Sequence, residues 1–316
     1  MKNRILYNSS QFLISFSLFI GLGTTRIINS ARSDIWISII LGTIIGLIVN
    51  YLIKKLPDKN SKLLYYFFNI ALLFLSIFVI TKLISSVYLD KTNVIIIMLP
   101  FIGLLLYTST KNRYALMKVI SLLNIIYLLI IVFAICSLMP TIDLDIFRPV
   151  MINSPQNILT GAFEFALYST ISLQVLPKFK ENYSLRIYFL SSILLLIIFI
   201  MIVGNLGVGL ASLYRYPEYM IFKNIAILNF IENIQNVLFF IWIINIYTLS
   251  SHSIINIKEM FNETVCIGTI GALFIVMILT INNYSVTVFI LDYLDWIMIT
   301  LLIIYLLGKI KSHTDV

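Results

Sequence analysis

The residues with chemistry to offer are few and sit in apolar surroundings. The run Gly21-Leu22-Gly23-Thr24-Thr25-Arg26 interrupts an otherwise apolar helix. Two glycines and two threonines there can free backbone groups for a small ligand or ion, as broken helices do at membrane depth. The same small residues equally suit close packing between helices, and both readings stand on spacing alone. A second segment reads Gly161-Ala162-Phe163-Glu164-Phe165-Ala166-Leu167-Tyr168-Ser169-Thr170-Ile171-Ser172-Leu173-Gln174. Glu164 is the carboxylate most deeply set in an apolar run, and an ionisable group is costly enough there to be a functional candidate. The alternative is that Glu164 reaches the interface from near the end of its helix. Tyr168, Ser169, Thr170, Ser172 and Gln174 either line a cavity or hydrogen-bond between helices. Asp292 and Asp295 stand one helical turn apart beside Trp296, after the turn Asn282-Asn283-Tyr284-Ser285. That places them near a membrane interface, with Trp296 in the aromatic belt. His252 reads as a satisfied interfacial histidine. Cys136 and Cys266 have no metal-ligand spacing and read as small buried hydrophobes.

No catalytic constellation accompanies these residues. The sequence has no GxSxG, HExxH or Walker A run and no His/Cys cluster. The expectation is a protein that is not an enzyme, with no catalytic residues, no metal and no cofactor.

The elements that must position these groups follow from composition. The 316 residues are 60% hydrophobic and 11% charged, against roughly 25% charged residues in soluble domains. A chain this apolar needs lipid as its solvent, and its continuous apolar runs exclude a β-barrel. A helix needs about 20 apolar residues to cross the hydrocarbon core. Spans are expected near 10–30, 35–56, 62–88, 93–109, 114–139, 157–177, 187–213, 236–257, 264–281 and 288–308. Lys2 and Arg4 precede an apolar run that continues to Arg26 without a small-residue cleavage pattern, which reads as an uncleaved first span. With the N-terminus cytoplasmic, most of the 22 Lys and Arg residues fall in cytoplasmic loops, so both termini are expected inside. The net charge of +8 then reflects basic loops and not nucleic-acid binding. The fold class expected is an all-α polytopic membrane protein of about ten transmembrane helices. By analogy it is a five-plus-five inverted-repeat, LeuT-like transporter fold: one transmembrane domain over 1–316, with halves at 1–150 and 151–316.

One segment does not fit a simple span. Between two apolar runs lies Tyr214 to Trp242, which carries Pro217, Lys223 and Glu232. Its Tyr216-Pro217, then Ile225 to Phe230 and Glu232, then Trp242, is similar to the "YP…(I/V)…FxE…W" region of the B subunits of bacterial spore germinant receptors. These GerAB-like germination permeases belong to the amino acid–polyamine–organocation transporter superfamily. Further runs resemble the family in order: Gln11-Phe12 with Gly21 and Gly23; Asp34-Ile35-Trp36-Ile37 to Gly42, ending Leu56-Pro57-Asp58-Lys59; and Asp143 to Pro149 before the sixth span. The resemblance covers almost the whole chain through loose motifs. It departs at Ala166 to Ile171, which holds neither the glycine nor the glutamate of the family's sixth-span run; Glu164 is offset from it.

The resemblance implies a germinant-receptor B-type subunit in a bacterial cell membrane or spore inner membrane. Such a subunit binds a small ligand such as an amino acid, and works in lipid with an A-type membrane subunit and a C-type lipoprotein. It further implies an outer-side lid helix near 216–236, with Pro217 in its first turn and Phe230 facing the pathway. The tentative ligand-binding residues are Gly21, Gly23, Thr24, Thr25, Glu164, Tyr168, Ser169, Thr170 and Phe230. An autonomous amino acid permease of the same fold, or a membrane assembly subunit without ligand binding, are the alternatives.

Overall fold

The computed structural model describes residues 2–56, 61–89, 91–177, 183–224 and 239–314. Every regular element among them is helical. In chain order they are α1 (Lys2–Ser17), a π-type turn (Phe19–Gly23), α2 (Thr24–Ala31), α3 (Ile35–Lys55), α4 (Lys62–Val87), α5 (Val94–Ser109), α6 (Arg113–Leu138) and α7 (Pro155–Leu173). Then come α8 (Leu185–Leu213), the short α9 (Pro217–Met220), α10 (Phe240–Met260), α11 (Glu263–Asn282), α12 (Tyr284–Asp292) and α13 (Leu294–Thr314).

Local sequence sets the starts of these helices. Asn93, Asn112, Ser154, Asn262 and Asn283 each place a side-chain oxygen on an otherwise unpaired N–H of the first turn of α5, α6, α7, α11 and α12. Pro155 and Pro217 occupy the first turn of α7 and α9, where no N–H is missed.

Among the described residues six helical runs are long and apolar enough to cross a membrane, or seven if the bent pair Tyr284–Asp292 and Leu294–Ile310 is one span. The first run, Asn3–Lys55, has 53 residues, about 80 Å of helix at 1.5 Å per residue, so it exceeds any single crossing. It turns at Arg32, whose φ is 50°. The apolar α5 has 16 residues. Ten spans and a five-plus-five repeat are not established by these helices. The last expected span, 288–308, is broken: α12 and α13 meet at a 66° bend.

The polarity is turned inside out relative to a soluble protein. Leu129, Val132, Ile275 and Leu279 are exposed on α6 and α11, faces that lipid covers. The buried α10 carries Asn245, Thr248, Ser250, Ser251, His252 and Ser253 inward. This is a multi-pass helical membrane protein. Helix α3 packs most extensively on α7. Gly42 permits that approach, since a Cβ there would lie 2.7 Å from the Ala162 carbonyl, and Gly46 makes room for α8, since a Cβ there would overlap the Tyr188 hydroxyl. Two expectations need correction. His252 is fully buried, and neither ring nitrogen has a partner among the described residues, so it is not a satisfied interfacial residue. Cys136 is exposed, because its side of α6 faces outward.

Candidate functional site

The first helical run breaks where glycine allows it. Ile20 (φ −65°, ψ 118°) and Gly21 (φ 63°, ψ 2°) leave the helix, and α2 restarts at Thr24. A positive φ is inexpensive only for glycine. A side chain at 21 would also meet the Tyr216 ring at 2.7 Å. The break frees backbone groups that must be paired. The Phe19 carbonyl accepts from the Thr24 hydroxyl at 2.8 Å. The Gly21 N–H donates to Glu218 Oε1 at 2.6 Å. Glu218 is 1% exposed, and its Oε2 has no partner among the described residues. It sits on α9, in the connection between long helices, where burial pushes its carboxyl up to about 7 against the smaller opposing effect of its hydrogen bonds.

Beside this break lies a cavity of about 610 Å³, within the range that holds small ligands. The break and α2 line it with Gly21, Thr25, Arg26, Asn29 and Ser30. Helix α7 contributes Glu164, the segment before α9 contributes Arg215, and the α12–α13 bend contributes Leu291, Asp292 and Leu294. Arg26 joins the two broken regions. Its guanidinium meets Asp295 Oδ2 at 2.9 Å and donates to the backbone carbonyls of Leu291 and Asp292. Those carbonyls end α12, where helix C-termini leave acceptors unpaired and favour a cation. Tyr168 donates its hydroxyl to Asp295 Oδ1 at 2.8 Å. Ser30 donates to the Glu164 carboxylate, 3.0 Å from each oxygen.

The structure brings together five of the residues singled out by sequence. Gly21, Thr25 and Glu164 line the cavity. Gly23 packs at the break against the Tyr168 ring, and Tyr168 reaches Asp295 from behind. Thr24 supports the break without lining the cavity. Thr25 additionally donates to the Arg215 carbonyl at 3.1 Å, tying α2 to the segment that carries Glu218. Ser169 points elsewhere, to the Phe165 carbonyl and Tyr188. Thr170 lines a separate, largely apolar groove with Trp296 and Ile299. Phe230 and most of the expected lid helix lie outside the described residues; Pro217–Met220 is helical.

Three contributors stood outside the expected ligand-binding residues: Arg26 and Asp295, which the sequence reading named without pairing, and Glu218, which it did not single out. For the first two a signal existed, since opposite charges in two apolar segments are best accommodated as a pair. For Glu218 the signal was an acid directly after Pro217 in the otherwise apolar Tyr216-Pro217-Glu218-Tyr219-Met220-Ile221-Phe222.

Toward the C-terminal end of α7 is a second polar region. Asn256 Nδ2 meets Tyr65 Oη at 3.0 Å, Asn69 Oδ1 at 2.8 Å and the Val175 carbonyl at 2.8 Å. Gln174 Nε2 reaches Asn50 Oδ1 at 3.1 Å and the Thr170 carbonyl at 3.0 Å. This network bolts α3, α4, the end of α7 and α10 together. Two residues quoted for the family resemblance are structural clamps: Gln11 exchanges two hydrogen bonds with the Ser184 backbone, and buried Asp34 accepts from the backbone N–H groups of Met151 and Asn153.

These features define a multi-pass helical membrane protein with a charged cavity between two broken helical regions. No protein-family model matches the chain. Over 304 aligned positions it is 22% identical to YfkT of Bacillus subtilis (strain 168), a protein whose name makes it a candidate for spore germination; the match covers 84% of each chain.

Proposed function

We propose that this chain is a ligand-sensing membrane subunit of a spore germinant receptor, of the B type, binding a small amino-acid-like molecule in the cavity beside Gly21. The observation that carries the reading is the meeting of two broken helical regions around Arg26, Asp295 and Glu164. Broken helices and embedded charges together mark binding sites in membrane proteins. The similarity to the Bacillus subtilis protein supports the germination role; the partners in this reading are an A-type membrane subunit and a C-type lipoprotein. In this reading the chain has ten spans in two inverted halves, both termini are cytoplasmic, the cavity opens outward, and no chemistry is catalysed. Cysteines at Lys59 and Lys111 should label from the cytoplasm, and those at Asp145 and Asn283 from outside; opposite labelling at two of them sinks this topology. The functional test is complementation of spores lacking this reading frame. Wild type should restore the response to an amino-acid panel, whereas Gly23→Leu and Glu164→Gln should not, at equal membrane levels. Full response from both variants would refute the site.

A second reading rests on the bolt. A cavity beside a broken helix, with a hydrogen-bonded network joining helices at the other end of α7, also suits an alternating-access transporter. Uptake of a radiolabelled amino acid by proteoliposomes containing this chain alone would favour it.

A further inference from the structure

The N–H groups at the start of a half-helix are where an anionic ligand group is usually received. Here the break supplies its own occupants. Glu218 Oε1 takes the Gly21 N–H at 2.6 Å, and the Thr24 hydroxyl takes the Phe19 carbonyl. Glu218 comes from a segment 197 residues away, is buried to 1% exposure, and leaves Oε2 without a partner among the described residues. The Tyr216 ring backs Gly21, and Thr25 holds the Arg215 carbonyl, so the whole Tyr214–Glu218 stretch is strapped across the break. Arg26 is likewise engaged, by Asp295 and by the carbonyls ending α12. Among acids lining the cavity, Glu164 receives only the Ser30 hydroxyl from the described residues, and Asp292 is exposed beside it.

We propose that Glu218 is an internal stand-in for a ligand carboxylate, so that the cavity recognises its ligand by an ammonium group, held at Glu164, and needs no free carboxylate. The ligand class is a primary amine of amino-acid size, including amino-acid amides. This deepens the reading under Proposed function and rests on it. Arg215, on the rim, is the group that would capture a free carboxylate if the stand-in did not suffice.

The test measures binding by isothermal titration to the purified full chain in lipid nanodiscs. Probes are matched sets built on alanine, valine and asparagine: the L-amino acid, its amide and its N-acetyl derivative. In wild type at least one amide should bind as tightly as its free acid or tighter, with no N-acetyl derivative binding. A site whose polar groups are already paired discriminates by roughly tenfold or more against a group it must desolvate. Glu218→Gln keeps an acceptor on the Gly21 N–H, so it should retain the wild-type order. Glu218→Ala opens the slot and should tighten the free acid about tenfold relative to the amide. Should Glu218→Ala fail to fold, the wild-type and Glu218→Gln orders still decide. Free acids bound more tightly than amides by wild type would overturn the stand-in while leaving the binding site intact, and loss of that preference in Arg215→Ala would show where the carboxylate goes. Binding by no probe would overturn both the inference and the ligand-sensing reading.

Discussion

The two polar regions of this protein use different chemistry. Ionisable side chains gather at the cavity: Arg26, Arg215, Glu164 and Asp292 line it, Asp295 pairs with Arg26, and Glu218 lies behind the break. The network at the other end of α7 is built mainly of neutral groups: Asn50, Asn69, Gln174 and Asn256 are nearly or completely buried and bonded to one another, to Tyr65 and to backbone, with one cation, Arg113, donating to Asn256 Oδ1 at 2.8 Å. The difference follows from solvation. A charge tolerates a site that water can enter, but it is costly to desolvate fully. Amides and hydroxyls cost less to bury and still fix the register of the helices they join. Charged side chains therefore gather at the cavity, and amides dominate the network that joins α3, α4, α7 and α10.

The largest expected effect tests that contrast directly with pH. Glu218 has its carboxyl raised to about 7, above the ordinary value near 4.3. The folded state thus holds a proton that the unfolded chain releases at lower pH, so stability falls as pH climbs from about 4.5 through 7. Thermal unfolding in detergent should show this decline in wild type and a flatter profile in Glu218→Gln. Equal slopes would remove Glu218 from the titrating groups. Asn256→Leu, which removes only a neutral amide, should show no comparable change relative to wild type.

Next in size is Asp295→Ala, which strips partners from both Arg26 and Tyr168. Breaking a fully buried pair costs roughly 3–5 kcal/mol. The Arg26 and Asp295 side chains keep 30% and 27% exposure, so a loss of about 2 kcal/mol is expected after screening. Adding Arg26→Met should recover part of it, because the orphaned charge goes too. If the double variant is no more stable than Asp295→Ala, the pair is not the source of the loss.

Asn256→Leu should be milder, at about 1–2 kcal/mol, the upper range for interhelical hydrogen bonds within membranes. Salt separates the two regions. Raising ionic strength should narrow the gap between Asp295→Ala and wild type and change the Asn256→Leu gap less, since Asn256 is neutral and only its bond from Arg113 involves a charge. An Asn256→Leu gap as salt-dependent as that of Asp295→Ala would contradict the division into a charged region and a mainly neutral one.

How much of this was legible in the sequence differs by region. Helix existence was, because apolar runs near 20 residues and Asn or Ser caps are local signals. The break was legible from Gly21 and its neighbours, although the departure falls at Ile20–Gly21, at the front of the expected stretch. The Arg26–Asp295 pair was not, since it joins residues 269 apart and no local pattern encodes which distant charge is the partner. The bend at Tyr293 was hidden for a related reason: it divides an apolar run without proline or glycine. Glu218 was not singled out, because its partner is a backbone N–H that nothing local marks as free until Gly21 is seen in its left-handed conformation.

The smallest effect separates two neighbours that sequence grouped together. Tyr168 and Ser169 belong to one polar run, yet successive helix positions are turned about 100° apart. Tyr168 faces Asp295 with its hydroxyl and supports the break through its ring beside Gly23. Ser169 returns its hydroxyl to the Phe165 carbonyl at 2.8 Å and meets Tyr188 on the α8 side. Tyr168→Phe keeps the ring and removes one bond to a charged acceptor, so about 1 kcal/mol should be lost. Because Asp295 then holds Arg26 alone, the cavity wall should shift and the germination dose-response should move with it. Ser169→Ala should cost a few tenths of a kcal/mol to about 1 and leave the dose-response where it was. Measuring both variants at matched membrane levels isolates position from polarity: a dose-response moved by Ser169→Ala and untouched by Tyr168→Phe would mean that the ligand is read from the α8 side of α7 and that the cavity beside the break is not the site.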